Sequence, residues 1–208
     1  MPVIAITGGV GTGKSTAAEY FRELGAVVFS ADEAAREVLS PGSQALSEVI
    51  AEFGPSYLRH DGSLDRHLLG DLVFSDPIAR KRLEEITHPA IRDLLHARVE
   101  ETRRRQPDTP IFVEIPLLYE TGTESAYDAV ITVASCRDVQ VRRLAARDRL
   151  NPQEIDKRIA AQLPMEEKAA CADYLIDNDG NRDALKRAVR SVWDQIVLSG
   201  TESNTKSR

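Results

Sequence analysis

"ITGGVGTGKST", Ile6 to Thr16, decides how the rest of the chain is read. Gly8, then Gly13-Lys14-Ser15 after four residues, has the spacing of a phosphate-gripping loop. The flanks supply the context such a loop needs. A short apolar run, Val3 to Thr7, precedes it, and a helical pattern from Ser15 to Leu24 follows and is stopped by Gly25. Glycines let successive backbone N–H groups converge on phosphate oxygens, and the helix amino terminus adds partial positive charge. Gly9, Val10, Gly11, Thr12 and Gly13 are therefore the expected backbone contacts to a nucleotide, joined by Thr16 at the start of the helix. Lys14 reaches the β and γ phosphates as a point charge, and the Ser15 hydroxyl suits coordination of Mg²⁺. A glycine-rich turn with a stray lysine is the plainer alternative, but it leaves the full pattern between strand and helix unexplained.

Working outward, the pattern alternates between strand and helix. A second strand, Ala26 to Phe29, ends at Ser30-Ala31-Asp32. From Glu33 to Arg105 the pattern is helical, interrupted at Pro41-Gly42, Gly54-Pro55, "HDGS" (His60 to Ser63) and Asp76-Pro77, with no evident strand pair. Strands resume at Ile111–Ile115, Ala129–Ser135 and Asp173–Asn178. The sum is an α/β protein: a P-loop NTPase three-layer fold with a five-stranded parallel sheet, a helical substrate-binding insert and a small helical lid. The expected core is 1–32, 106–146 and 173–198, with the insert at 33–105. The lid, 147–172, is highly charged and carries the helix-start signal "NPQE" (Asn151 to Glu154). The tail, 199–208, has almost no apolar residue and is expected to be disordered.

Composition narrows the function classes. The 208 residues are 42% apolar, enough for one sizeable core. With 27 basic and 33 acidic residues the net charge is -6, which disfavours general binding to nucleic acid or anionic membranes unless positive charge is gathered locally. Cys136 and Cys171 lack metal-ligand spacing, so free thiols in a reducing compartment are expected. There is no run long enough to span a membrane and no signal-peptide pattern, so a soluble cytoplasmic location is expected.

Phosphate binding alone does not separate a kinase from a switch or a motor. A GTPase needs a late guanine-reading "NKxD"-type segment, and none is present; a motor closes an apolar strand with Asp-Glu, whereas the third strand here runs into "VEIPLLYE". Glu114, at that strand's end, can orient the water ligands of a metal, or it is an ordinary strand-end acid. Asp32 follows the second strand directly, at the sheet edge where ligands of open α/β sheets bind, and can accept the proton of an attacking hydroxyl; it equally suits the cap of a helix beginning "EAAR". Arg36, one turn on, can hold an anionic substrate or simply face solvent. Arg143 and Arg147, four apart, share one helix face leading into the lid and can close over a nucleotide; the alternative is a solvent-facing basic helix partnered by Asp138 and Asp148.

Together, "TGGVGTGKST", "SADEAAR", "THP" (Thr87 to Pro89), "PLLYE" (Pro116 to Glu120), "RRLAARD…RIAAQ…EEK" and "ADYLIDNDG" resemble the dephospho-coenzyme A kinases. The resemblance runs from Val3 to about Leu198. It implies ATP- and Mg²⁺-dependent phosphorylation of the ribose 3'-hydroxyl of dephospho-CoA, the last step of coenzyme A synthesis. It also implies Asp32 as general base, Arg143 as a lid-side phosphate clamp and Thr7 near the reacting groups. Asn178 is expected beside the adenine, and Arg36, His88 and Tyr119 on the acceptor side. As a plainer alternative, His88 before Pro89 marks a helix start. The chain departs from the family pattern in having Ser30-Ala31-Asp32 for Asp-Ala-Asp, and Glu114 where an aspartate is frequent. Two other classes stay open on the same loop: a different small-molecule or nucleoside monophosphate kinase, and a nucleotide sensor without catalysis.

Overall fold

The computed structural model describes residues 1–148 and 150–205, with side chains through Leu198. Five strands form one sheet in the order β2-β3-β1-β4-β5, every neighbouring pair parallel. They are β1 (Val3–Gly8), β2 (Val27–Ser30), β3 (Ile111–Glu114), β4 (Ala129–Ala134) and β5 (Tyr174–Asp177). All residues of β1 and β3 are buried, which is why both read as continuous apolar runs rather than alternating ones. On one face, Ile4, Ile6, Phe112 and Ile131 pack with Phe21 of α1 (Lys14–Glu23) and Val189 and Ile196 of α9 (Arg182–Thr205). Phe112 stacks on Phe21 at 4.6 Å between ring centroids and faces Trp193 at 6.3 Å. On the other face Ala5, Leu118 and Val130 form a smaller cluster. Because β3 and β4 flank β1, the chain crosses over it, and the switch point lies at the carboxyl end of β1, where the glycine loop emerges.

The chain divides into two compact units, Met1–Ser30 with Thr102–Arg208, and Ala31–Glu101. The second contains α2 (Ala31–Val38), α3 (Gln44–Phe53), a 3₁₀ turn at Pro55–Tyr57, α4 (Arg66–Ser75) and most of α5 (Pro77–Arg105). Its own core gathers Leu39, Leu46, Val49, Leu64 and Leu69. The breaks at Pro41-Gly42, Gly54-Pro55, His60–Ser63 and Asp76-Pro77 all fall between elements. Asp76 starts α5 by accepting from Ile78 N (2.8 Å) and Ala79 N (3.2 Å).

Three features differ from the sequence expectation. Helix α2 starts at Ala31 rather than Glu33, so Asp32 lies inside the first turn instead of capping it. Ala31 is a strong helix former, and Asp32 and Glu33 place negative charge at the helix amino terminus, so nothing delays the start. Helix α5 runs through His88-Pro89 instead of beginning there. Pro89 forfeits one main-chain bond, a loss that 29 helical residues absorb. Finally, the charged excursion forms no third body. The helix α6 (Arg137–Asp148), α7 (Pro152–Ala160) and α8 (Met165–Ala170) belong to the unit that holds the sheet.

Helix α7 opens with a capping box, Asn151 Oδ1 accepting from Glu154 N while Glu154 accepts from Asn151 N, each 2.9 Å. Within the tail expected at 199–208, α9 runs to Thr205, and residues 206–208 lie outside the described residues. Both cysteines are free and exposed. Among the described residues no helix is long and apolar enough to cross a membrane.

The Phe21–Phe112–Trp193 stack joins the sheet to both helices of one face. Phe112→Ala is expected to lower the unfolding free energy by about 3–5 kcal/mol in urea titration. A loss below about 1 kcal/mol would mean the sheet face is held elsewhere.

Candidate active site

The glycine loop begins and ends at positions that admit no side chain. At Gly8 (φ 148°) a Cβ would lie 2.2 Å from the Val133 carbonyl of β4, and at Gly13 (φ 93°) 2.4 Å from Asn178 Nδ2. The loop thus runs directly against β4 and the segment after β5. Thr12, fully buried, donates through Oγ1 to Gly9 O at 2.9 Å, which closes the loop on itself. Its carbonyl is the common acceptor for Asn178 Nδ2 (2.7 Å), Arg143 Nη1 (3.2 Å) and Ser135 Oγ (3.4 Å).

Lys14 folds back to donate to Gly9 O at 3.0 Å. Ser15 donates to Glu114 Oε1 at 2.7 Å, and the Glu114 carboxylate is itself buried. Glu114 sits level with Ile6 of β1 and Ser30 of β2, so the central strand pair carries it to the loop. Thr7, the residue before Gly8, is fully buried and its Oγ1 has no hydrogen-bond partner among the described residues. An orphaned buried hydroxyl costs about 1–3 kcal/mol, which a group bound at the loop recovers. The orphan hydroxyl, the glycine cradle and the Ser15–Glu114 pair fit a magnesium–phosphate group. Tyr119 is half-buried, its hydroxyl 3.2 Å from Thr132 Oγ1, and burial raises its pKa against the opposing effect of that hydrogen bond.

The two arginines of α6 part company. Arg143 turns onto the loop, reaching Thr12 O and Gly11 O (3.5 Å) through Nη1, and Asn178 O (2.8 Å) through Nη2. Arg147, four residues on, makes a two-point pair with Asp148, 2.7 Å from Nε and 2.9 Å from Nη2, and Arg158 joins the same carboxylate at 3.1 Å. The structure therefore brings Arg143 and Asn178 to the loop and does not bring Arg147 there. In the helical unit, Asp32, Arg36 and His88 are all exposed.

Five further residues gather around the loop and the turn after β4. Gln162 Oε1 accepts from Val10 N of the loop at 2.8 Å. Ser135 and the buried Gln140 brace the turn after β4, Gln140 donating to Ser135 O at 2.8 Å. Glu120 Oε1 accepts from Leu163 N at 3.0 Å and lies 2.6 Å from Lys168 Nζ, which is fully buried. That ion pair is close but poorly directed, since neither Lys168 Nζ nor Glu120 Oε2 has a well-formed hydrogen bond. Burial alone would raise the Glu120 pKa, but the Lys168 ammonium and the backbone amides, Leu163 among them, hold it below its ordinary 4.5. Gln162, Glu120 and Lys168 stand within the quoted "RIAAQ", "PLLYE" and "EEK", yet only the fold shows that they meet.

Comparison with known proteins places this geometry. The dephospho-CoA kinase family model matches residues 2–184. A dephospho-CoA kinase of Geobacter sulfurreducens is 46% identical over 193 residues, 93% of this chain and 98% of its own length. One from Anaeromyxobacter dehalogenans is 51% identical over 186 residues, 89% and 87% of the two chains. Among solved structures, a Thermus thermophilus protein aligns with a TM-score of 0.78 at 36% identity, over 93% of this chain and 97% of its own.

Removing Lys168 strands a mostly buried carboxylate. Lys168→Ala is expected to cost about 3 kcal/mol, on the order of 6–12 °C in Tm, while Lys168→Met with Glu120→Leu costs less. The depressed Glu120 pKa fixes the sign of the pH effect. Its contribution is complete above the unfolded value near 4.5 and is lost as pH falls through the lower folded value. Melting curves across that window should show a steeper acid loss in the parent than in the double variant, and parallel curves would remove the pair from the stability of the fold.

Proposed function

Because this chain belongs to the dephospho-CoA kinase family, we infer that it transfers the γ-phosphoryl group of ATP to the ribose 3'-hydroxyl of dephospho-CoA. The products are coenzyme A and ADP, in the last step of coenzyme A synthesis. The observation that carries the reading is the Gly8–Ser15 loop with the Ser15 hydroxyl 2.7 Å from Glu114. The backbone amides of the loop hold the phosphates of the donor. Lys14 exchanges its bond to Gly9 O for the β and γ phosphates, a compact charge on a flexible stem. Mg²⁺, when bound, neutralises charge on the β and γ oxygens; Ser15 Oγ holds it, and Glu114 orients its water ligands.

Asp32 takes the proton of the 3'-hydroxyl. The reading is supported by its place two residues past the end of β2 and by a carboxylate that is exposed and engages no other described residue. Arg36, His88 and Tyr119 serve the acceptor. Arg143 and Asn178 act on the donor side by holding the carbonyls of Gly11 and Thr12, so that the amides of the loop stay convergent; Arg147 joins them only by leaving Asp148. Exposed free thiols suit the reducing cytoplasm where this metabolic step belongs.

Mass-spectrometric detection of coenzyme A after mixing the protein with dephospho-CoA, ATP and Mg²⁺ tests the reaction. Asp32→Asn should then lower turnover by about 10² or more with ATP affinity near the parent's. Near-parental turnover would leave Asp32 a first-turn helix charge. Arg143→Ala should raise the Kd for ATP by about tenfold or more, because the loop loses its brace. A fall in kcat alone would return Arg143 to the transferring phosphate.

A further inference from the structure

The peptide between Gly9 and Val10 is held from both ends. Its carbonyl accepts from Thr12 Oγ1 at 2.9 Å and from Lys14 Nζ at 3.0 Å, and its N–H donates to Gln162 Oε1 at 2.8 Å. Gly9 has no side chain to resist rotation of this peptide. The direction of its carbonyl, and with it the resting place of the Lys14 ammonium, therefore depends on those bonds. Of the three partners, Gln162 alone comes from outside the glycine loop and the start of α1. The segment that carries Gln162 also closes on Gly9 itself, where an added Cβ would lie 3.3 Å from Met165 Sδ.

Gln162 could not hold the peptide unaided. It is only half-buried, and fixing a long side chain costs at least as much as one neutral hydrogen bond returns. The ordering comes from behind it. Leu163 N donates to the Glu120 carboxylate at 3.0 Å, a charge-assisted bond. Pro164 restricts Leu163 to extended backbone and starts α8, whose first turn closes with Lys168 N on Pro164 O at 3.2 Å. The Lys168 ammonium returns to the same Glu120 oxygen at 2.6 Å, and the Lys168 carbonyl accepts from Thr132 Oγ1 of β4 at 3.3 Å. Glu120 thus grips the segment at Leu163 and at Lys168. Its own stretch is fixed to the sheet by Leu118, fully buried with Ala5 and Val130. A buried ion pair adds little stability that well-packed apolar side chains of the same size would not. Lys168 is fully buried with Glu120 as its one charge partner among the described residues, so what the pair supplies beyond packing is a fixed geometry.

We propose that Gln162 is a positioning residue for the glycine loop, and that Glu120 and Lys168 position Gln162. The ion pair sets the backbone at Leu163, Leu163 carries Gln162 to Val10 N, and the Gly9–Val10 peptide then presents its carbonyl to Lys14. The relay acts on phosphoryl transfer through Lys14 and not by contact with the reacting atoms. The assignment rests on the function proposed above for the role of Lys14.

Residue-resolved amide hydrogen exchange on the full chain tests the relay without any turnover. The variants are Gln162→Met, which keeps the length of the side chain and loses its acceptor, Glu120→Leu with Lys168→Met, and all three changes together. The Val10 amide should exchange at least about tenfold faster in Gln162→Met, and by a similar factor in the double variant, neither of whose changed residues contacts Val10. Parental protection of the β1 and β4 amides reports that each variant remains folded. The Kd for a non-hydrolysable ATP analogue should rise about fivefold in both variants. With ATP, Mg²⁺ and dephospho-CoA at saturation, kcat should fall about tenfold in each, with KM for dephospho-CoA within about threefold of the parent's. The triple variant should lie no more than about twofold below either, because a relay is broken only once. A lowered Tm with parental kcat would make Gln162 a structural tether and overturn the assignment. So would parental exchange of the Val10 amide in the double variant, or losses that multiply in the triple variant. If the parent forms no coenzyme A while Val10 exchange and analogue affinity respond as stated, the relay stands and the proposed reaction fails.

Discussion

The Thr12 carbonyl is the acceptor on which the site depends. Three donors from separate elements converge on it: Asn178 after β5, Arg143 on α6 and Ser135 after β4. A phosphate cradle needs its amides convergent before the ligand arrives, since ordering a loose loop at binding costs about 1–2 kcal/mol per residue. Tying one carbonyl of the loop to the ends of two strands and one helix places that ordering in the folded protein. Gly13 has to be a glycine for the same reason, because the Asn178 amide fills the space of its side chain.

The segment from Gln162 to Lys168 is fastened to the unit that holds the sheet at three points. Gln162 meets the loop at Val10 N, Leu163 meets Glu120, and the buried ammonium of Lys168 meets the same carboxylate. The first contact is a single neutral hydrogen bond, with a net worth of about 0.5–1.5 kcal/mol. The last buries a charge, and breaking it from one side costs about 3–5 kcal/mol. The segment is therefore tethered firmly at Lys168 and weakly at the glycine loop. The weak contact lies at Val10 N of the glycine loop, where exchange of partners is cheap.

The loop and the sheet were legible because their signals are local. Glycine spacing, a flanking apolar run and a following helix all lie within about twenty residues, and buried parallel strands announce themselves as apolar runs. Glu114 and Asn178 were legible as strand-end residues. The contacts that sequence could not give are those between distant positions. Lys168 and Glu120 are 48 apart, and Val10 and Gln162 are 152 apart. Helix registers near boundaries were misread for a local reason: Asp32 has the side chain of a cap, yet Ala31 before it continues into helix, and the Pro89 signal was outweighed by the length of α5. The i,i+4 spacing put Arg143 and Arg147 on one face, but which carboxylate or carbonyl each would meet depended on packing.

Charge distribution reconciles an acidic chain with two anionic substrates. A net charge of -6 repels nucleotides at long range, but screening limits that to about 8–10 Å at moderate salt. Inside that distance local charge decides, and there the chain is organised in the opposite sense. Lys14 and Arg143 contact the carbonyls of the glycine loop, and a cavity of the helical unit is lined by Arg36, Arg59 and Arg66. Glu114 and Asp32 are kept out of this neutralisation by different means. Glu114 is buried and accepts from the Ser15 hydroxyl, a neutral donor that leaves its charge in place. Asp32 is exposed and has no hydrogen-bond or ion-pair partner among the described residues, so its oxygens are left to solvent or a ligand.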